Sequence, residues 1–237
     1  MDIGEIVSDA FKYPSGDWKN VLILGVFFIL SAIIIGIFFW PGYLLRIVKA
    51  TLAGYDDLPA FDEWGSMVVD SIKVIVVTIV YFIIPIIVFS VGIFAAIATI
   101  AATSTTNPFA WIGLIGGTGI IAIILGIIFS LIYFVALANM ALYDELGAAF
   151  RFSEILERIS QIGWGSYIIW WIVMYIIAIV FGIISSIISA IPYVGGFIAA
   201  LIVAPYLYML YARSLSLIFA NSEEGKPAPA EEPASPE

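Results

Sequence analysis

Gly42–Lys73, GYLLRIVKATLAGYDDLPAFDEWGSMVVDSIK, is the longest polar interruption in a chain otherwise built of apolar runs. Its first piece, Gly42–Gly54, reads as a helix leaving a bilayer. Arg46 and Lys49 sit on adjacent turns, where aliphatic stems can lie along lipid while the charged ends reach water. Tyr55–Leu58 then turns, and Pro59 holds Leu58 out of the helical region while suiting the opening of a new helix. From Phe61 onward, Trp64, Met67, Val68 and Ile72 share one helical face, with Asp62, Glu63, Asp70 and Lys73 largely off it. The pattern predicts a helix over 61–73 lying on the membrane surface before the chain re-enters it.

Around this stretch the chain is 63% apolar with a mean hydropathy of +1.13, well above the roughly 45–50% apolar content of an ordinary soluble domain. An integral membrane protein is expected, all-α, a polytopic helical bundle of about five spans with amphipathic interfacial helices. Residues 2–13 give another surface helix, with Ile3, Ile6, Val7, Ala10 and Phe11 on one face and Asp2, Glu5 and Asp9 opposite. Pro14 and Gly16 end it, and Trp18 and Lys19 mark the interface.

Spans are expected at about 21–39, 74–102, 111–143, 166–190 and 197–220. The second and third exceed the roughly 20 residues that a bilayer core requires, so they must tilt, kink or protrude, with Pro85 placed to kink the second. Gly113 and Gly117 leave the start of the third nearly bare, either for close helix approach or as a loosely wound start. Gly182 and Ser186 recur at small-residue packing spacing in the fourth. A further surface helix over 152–163 carries Phe152, Ile155, Leu156 and Ile159 as its stripe, an i,i+4 pair of Glu154 and Arg158, Arg151 just before it and Trp164 just after. Residues 221–237 form an acidic Pro/Ala tail with nothing to bury, expected to be disordered.

The order of elements repeats weakly. Span, exit, Phe61, span recurs as span, exit, Phe150, span, and the fifth span looks like a third unit cut short. With five spans, loops one and three and the tail share the face carrying Arg46, Lys49, Lys73, Arg151, Arg158, Arg213 and Lys226. The positive-inside rule makes that face cytoplasmic and forces the N-terminus outside. The alternative is a re-entrant hairpin within residues 21–53, broken near Gly36 or Trp40-Pro41, which puts both on the inside. An N-terminal signal is not expected, because acids outnumber lysines there.

Three blocks, DIGEIVSDAFKYPSGDWK at 2–19, GYLLRIVKATLAG at 42–54 and LPAFDEWGSMVVDSIK at 58–73, resemble the archaeal multi-pass membrane family DUF4013, over about residues 1–220. The resemblance implies a helical fold in an archaeal cell membrane. It implies no activity and transfers no site residue.

With no Cys and no His, thiol chemistry, disulfides, haem ligation and the usual zinc and copper sites fall away. Asp56, Asp57, Asp62 and Glu63 match no calcium loop, and nucleotide and hydrolase signatures are absent. No catalytic residue, metal or cofactor is expected, and the chain is not expected to be an enzyme. From Val74 to Tyr143 there is no charged residue, and Asn139 is the one amide in a span with a claim to a pore or packing role. The expected function is structural or interactive: a membrane-organising protein that associates with lipids and with itself or another membrane protein, not nucleic acid. The alternative is a passive or gated transporter or channel for an uncharged or lipid-like solute.

Overall fold

The computed structural model describes residues 1–103 and 108–222, all helical or irregular, with no strand among them. The acidic tail expected over 221–237 lies almost wholly outside the described residues. Helices α1 (Ile3–Lys12), α2 (Trp18–Leu30), α3 (Trp40–Leu52), α4 (Trp64–Thr103), α5 (Pro108–Tyr143), α6 (Phe152–Ile162), α7 (Trp164–Ser189), α8 (Gly195–Ile198) and α9 (Ala204–Ala220) follow in order. Five segments are long and apolar enough to cross a membrane: Ile35–Leu52, Trp64–Thr99, Ile115–Tyr143, Trp164–Ser189 and Gly195–Ala220. This is a multi-pass helical membrane protein.

The chain forms two compact units, 1–74 with 135–237, and 75–134. In the smaller unit, α4 and α5 pack along a stripe of Val77, Tyr81, Pro85, Gly92 and Ala96. Tyr81 and Phe82 meet the Tyr133 ring edge-on, and the Thr78 and Tyr133 hydroxyls lie 2.8 Å apart. Gly92 is where the helices come closest, since a Cβ there would collide with the Thr118 side chain. The helix runs uninterrupted through Pro85, which is buried in the stripe.

In the larger unit α7 and α9 run antiparallel. Trp170 Nε1 donates to Ser214 Oγ at 2.7 Å, Tyr211 Oη to the Met174 carbonyl at 2.5 Å, and Phe181 stacks on Tyr206. Between α8 and α9 the helix widens to a π-turn over Ala199–Val203, where Gly25 of α2 presses on the Leu201 carbonyl.

Two expectations are corrected. The span expected at 21–39 is not one helix: α2 stops at Leu30, two 3₁₀ turns follow, and Ile34 between them is left-handed at φ 72°. The local sequence explains the break. Four β-branched isoleucines around Gly36 are poor helix formers, and Ser31 Oγ bonds back to the Phe27 carbonyl at 2.9 Å. The chain then doubles back, so that Phe27 stacks on Phe39 and Phe28 on Trp40.

Next, no separate surface helix exists over 61–73, because those residues after Glu63 are the first turns of α4. Met67 is fully buried rather than in lipid, its carbonyl pressed against Gly42 of α3. The apolar face of α1, a separate helix as expected, is partly taken by protein. Ile6 and Ala10 are buried, and Tyr206 Oη donates to the Phe11 carbonyl at 2.5 Å. In α6, Ile155 and Ile159 are likewise buried, leaving Phe152 and Leu156 exposed.

Candidate functional site

The polar chemistry of the larger unit gathers in three charged clusters tied to one another by short segments. The first is built on Arg213, on the inward face of α9. Its Nε donates to Asp9 Oδ1 at 2.7 Å and its Nη2 to Asp56 Oδ1 at 2.6 Å. Nη1 reaches the Tyr55 carbonyl at 3.0 Å and Thr51 Oγ1 at 3.3 Å, and the guanidinium lies 4.8 Å from the centre of the Tyr13 ring. One side chain therefore holds α1, α3, α9 and the loop 53–63. Only a planar, forked cation satisfies so many acceptors at once.

The second cluster joins α3, the start of α4 and the end of α5. Lys49 Nζ lies 2.9 Å from Asp70 and 2.7 Å from Asp144, and Lys73 Nζ lies 2.9 Å from Asp144 and 3.6 Å from Asp70. Two cations and two carboxylates alternate, so the group is neutral. Asp144 leaves α5 in the left-handed region, at φ 53°, which turns its carboxylate toward both lysines. Hydrogen bonds from Lys49 and then Lys73 hold that carboxyl below its ordinary range, against a smaller opposing effect of burial.

Arg158 of α6 centres the third. Buried at the foot of α9, it donates from Nη2 to Glu154 Oε1 and to Tyr143 Oη, both at 3.0 Å, with its guanidinium 5.0 Å from the Phe219 ring centre. Burial pushes the Glu154 carboxyl up, but the bond from Arg158, with lesser help from its neighbours, outweighs it and leaves that group below its usual range. Asn139, fully buried nearby, donates to the Ala148 carbonyl at 3.0 Å, while its Oδ1 has no partner among the described residues. It therefore braces the turn after α5. Arg151 pairs with Glu145 at 2.8 Å on the outside of the same turn.

A strap of residues 53–63 closes over the α2–α3 break. Asn20 and Tyr43 both donate to the Pro59 carbonyl, at 3.3 and 2.9 Å, and Phe61 stacks flat on Tyr43 at 3.8 Å. Arg46 ends the strap, donating to the Asp62 and Glu63 carbonyls and to Ser66 Oγ at 2.6–2.9 Å.

Of the residues expected at the membrane interface, Trp18, Lys19, Trp64, Ile72, Arg151, Phe152 and Trp164 are exposed. Arg46, Lys49 and Arg158 are drawn into ion pairs rather than left to snorkel, and Met67 is core. Among the expected packing residues, Gly113, Gly117 and Gly182 face open space among the described residues, and Ser186 Oγ bonds back to the Gly182 carbonyl at 2.8 Å. Sequence reasoning missed the glycines at close approaches, Gly25, Gly42 and Gly92. Tyr43 and Asn20 were missed too, although a buried tyrosine and an amide at a helix start need hydrogen-bond partners. Among the described residues no group of acids is arranged to hold a metal ion.

A model of the family described as protein of unknown function (DUF4013) matches residues 23–190. No curated protein and no solved structure matches the chain.

Proposed function

Because the chain belongs to the DUF4013 family, whose description assigns no activity, we propose that it is a structural or interaction protein of the cell membrane, organising lipid and associating with copies of itself or another membrane protein. It is not an enzyme in this reading. The observation that carries it is how the polar groups are used. Asp9, Asp56, Asp70, Asp144 and Glu154 each pair with a lysine or arginine of the same chain, so the charges act as internal ties rather than as a site for a substrate. Meanwhile α7 exposes Tyr175, Ile176, Ile179, Val180, Ile183 and Ile187, with Gly182 open on the same helix, a surface suited to lipid and to another apolar helix.

The test uses the absence of native cysteine. Gly182→Cys and Ser186→Cys should cross-link between copies in bilayers, and the link should persist on dilution with lipid. Cross-linking that vanishes on dilution, with no other membrane protein captured at either position, overturns the self-association reading.

Transport of an uncharged or lipid-like solute is the second reading. The α2–α3 break, together with the π-turn of Ala199–Val203 on which α2 packs at Gly25, favours it, since interrupted helices in membranes line binding sites in transporters. Solute flux into proteoliposomes, altered when Gly25→Ala forces that contact apart, would support it.

A further inference from the structure

We infer that residues 18–52 form a re-entrant hairpin that enters and leaves the bilayer on one side, so that four segments cross and both ends of the membrane domain face the same compartment. This inference stands on contacts within the larger unit and is independent of the function proposed above.

The start of the chain is fixed to the end of the last span. The Met1 amino group donates to Asn221 Oδ1 at 3.2 Å, and Asn221 Nδ2 donates back to the Met1 carbonyl at 3.1 Å. Asp9 pairs with Arg213 eight residues from that end. A segment crossing the membrane fully between Trp18 and Leu52 would put Asp9 and Thr51 some 30 Å apart across the hydrocarbon, yet both touch the guanidinium of Arg213. Asn20 at the head of α2 and Tyr43 early in α3 also meet at one atom, the Pro59 carbonyl. The reversal lies at Ser31–Phe39, and the 13 residues of α2 reach only about 20 Å, short of a crossing. At its other end α2 meets the α1 segment at 86°, the angle expected where a surface helix turns into a bilayer.

The remaining segments pair off. Lys73 of α4 bonds the Asp144 carbonyl at 3.1 Å, so α4 leaves from and α5 returns to one layer. Trp170 with Ser214, and Arg158 with the Phe219 ring, return α9 to the level where α7 begins. The charges follow this topology. All nine lysines and arginines and all eighteen acids fall in 2–19, 46–73, 144–158 and 213–237, while 20–45, 74–143 and 159–212 hold none. The positive-inside rule then places both ends in the cytoplasm, and the conflict over an acidic N-terminal helix sent outside disappears.

The test is substituted-cysteine labelling of the full chain in intact cells with a membrane-impermeant maleimide. Ser15 and Ser160 are exposed, and Tyr193 between α7 and α8 is 96% exposed, so the three substitutions leave the core untouched. Ser15→Cys and Ser160→Cys should be protected in intact cells and label at least tenfold more once the membrane is opened, whereas Tyr193→Cys should label from outside. Ile34→Cys, at the hairpin tip, should stay unreactive from both sides. Labelling of Ser15→Cys together with Tyr193→Cys, or of Ile34→Cys from the Tyr193 side, would show a full crossing and overturn the inference.

Discussion

Replacing Arg213 by methionine tests whether one guanidinium docks the N-terminal helix. Methionine keeps the apolar volume, so the change isolates polar bonding. The Arg213 side chain is 5% exposed and its Asp9 partner 38%, with 2.7 Å between them. A charge-assisted hydrogen bond contributes about 1.5–3 kcal/mol, discounted here because the carboxylate keeps a third of its water. The stacked Tyr13 ring adds about 0.5–1 kcal/mol. The sum for opening α1 is about 2 kcal/mol, equal to about a 30-fold change in an equilibrium constant. Hydrogen exchange of the α1 amides in nanodiscs reads that constant directly, and protection over Ile6–Lys12 should fall by about that factor. Asp56→Asn is the control. Asp56 also pairs with Arg213, at 2.6 Å, but is 86% exposed and does not touch α1, so its removal should change α1 protection by less than about threefold. Unchanged protection in Arg213→Met, or an equal loss in Asp56→Asn, would refute the reasoning, since α1 would then be held by its apolar face alone.

Three further outcomes follow from the packing. Gly42→Ala should destabilise the larger unit by about 1–3 kcal/mol, because the new Cβ meets the backbone carbonyl of Met67, which cannot move aside; Gly182→Ala, with nothing opposite it, should leave the thermal midpoint unchanged or raise it. Acidification should loosen the end of α5: the Asp144 carboxyl is depressed in the folded state, so its contribution is full above the ordinary aspartate value of about 3.9 and is lost as pH falls through the lower folded value, and Asp144→Asn should remove that acid limb from a pH-dependent melting series. Ser214→Ala should cost about 1–2 kcal/mol through the buried 2.7 Å bond from Trp170, measured by denaturation in mixed micelles.

Helical class, the long spans and the α3 exit helix were legible because they depend on local quantities, namely apolar run length and the residues that stop a run. The boundary of α3 was readable from Trp40-Pro41 and Gly54, and that of α6 from Gly163, which sits at φ 93° between α6 and α7. The surface helix over 61–73 was misassigned for a physical reason. An apolar stripe on a helix says that one face is buried, not what buries it, and protein and acyl chains satisfy Ile6, Met67 or Ile155 equally well. The repeat failed in the same place: Phe150 does precede a separate helix, but the stretch after Phe61 has no glycine with the geometry of Gly163, so it runs on into α4. The ion pairs were not readable, since Asp9 and Arg213 are brought together only by the return of α9.

The span count turned on a conflict between a local and a global signal. Residues 21–39 pass any hydropathy threshold for a span, and run length alone favours a crossing. Charge distribution opposes it, because a crossing there parts the six charged residues of 2–19 from those of 46–73. The hairpin inferred above sides with charge, and the magnitudes explain why. An interrupted α2–α3 segment forgoes a few backbone bonds, most of which the 3₁₀ turns and Ser31 restore. Separating Asp9 from Arg213 would take from a buried guanidinium one of its two carboxylates, a loss of about 2 kcal/mol. For such chains, where every charged residue can be placed on one side by folding a single apolar run back on itself, that topology is the one to test first.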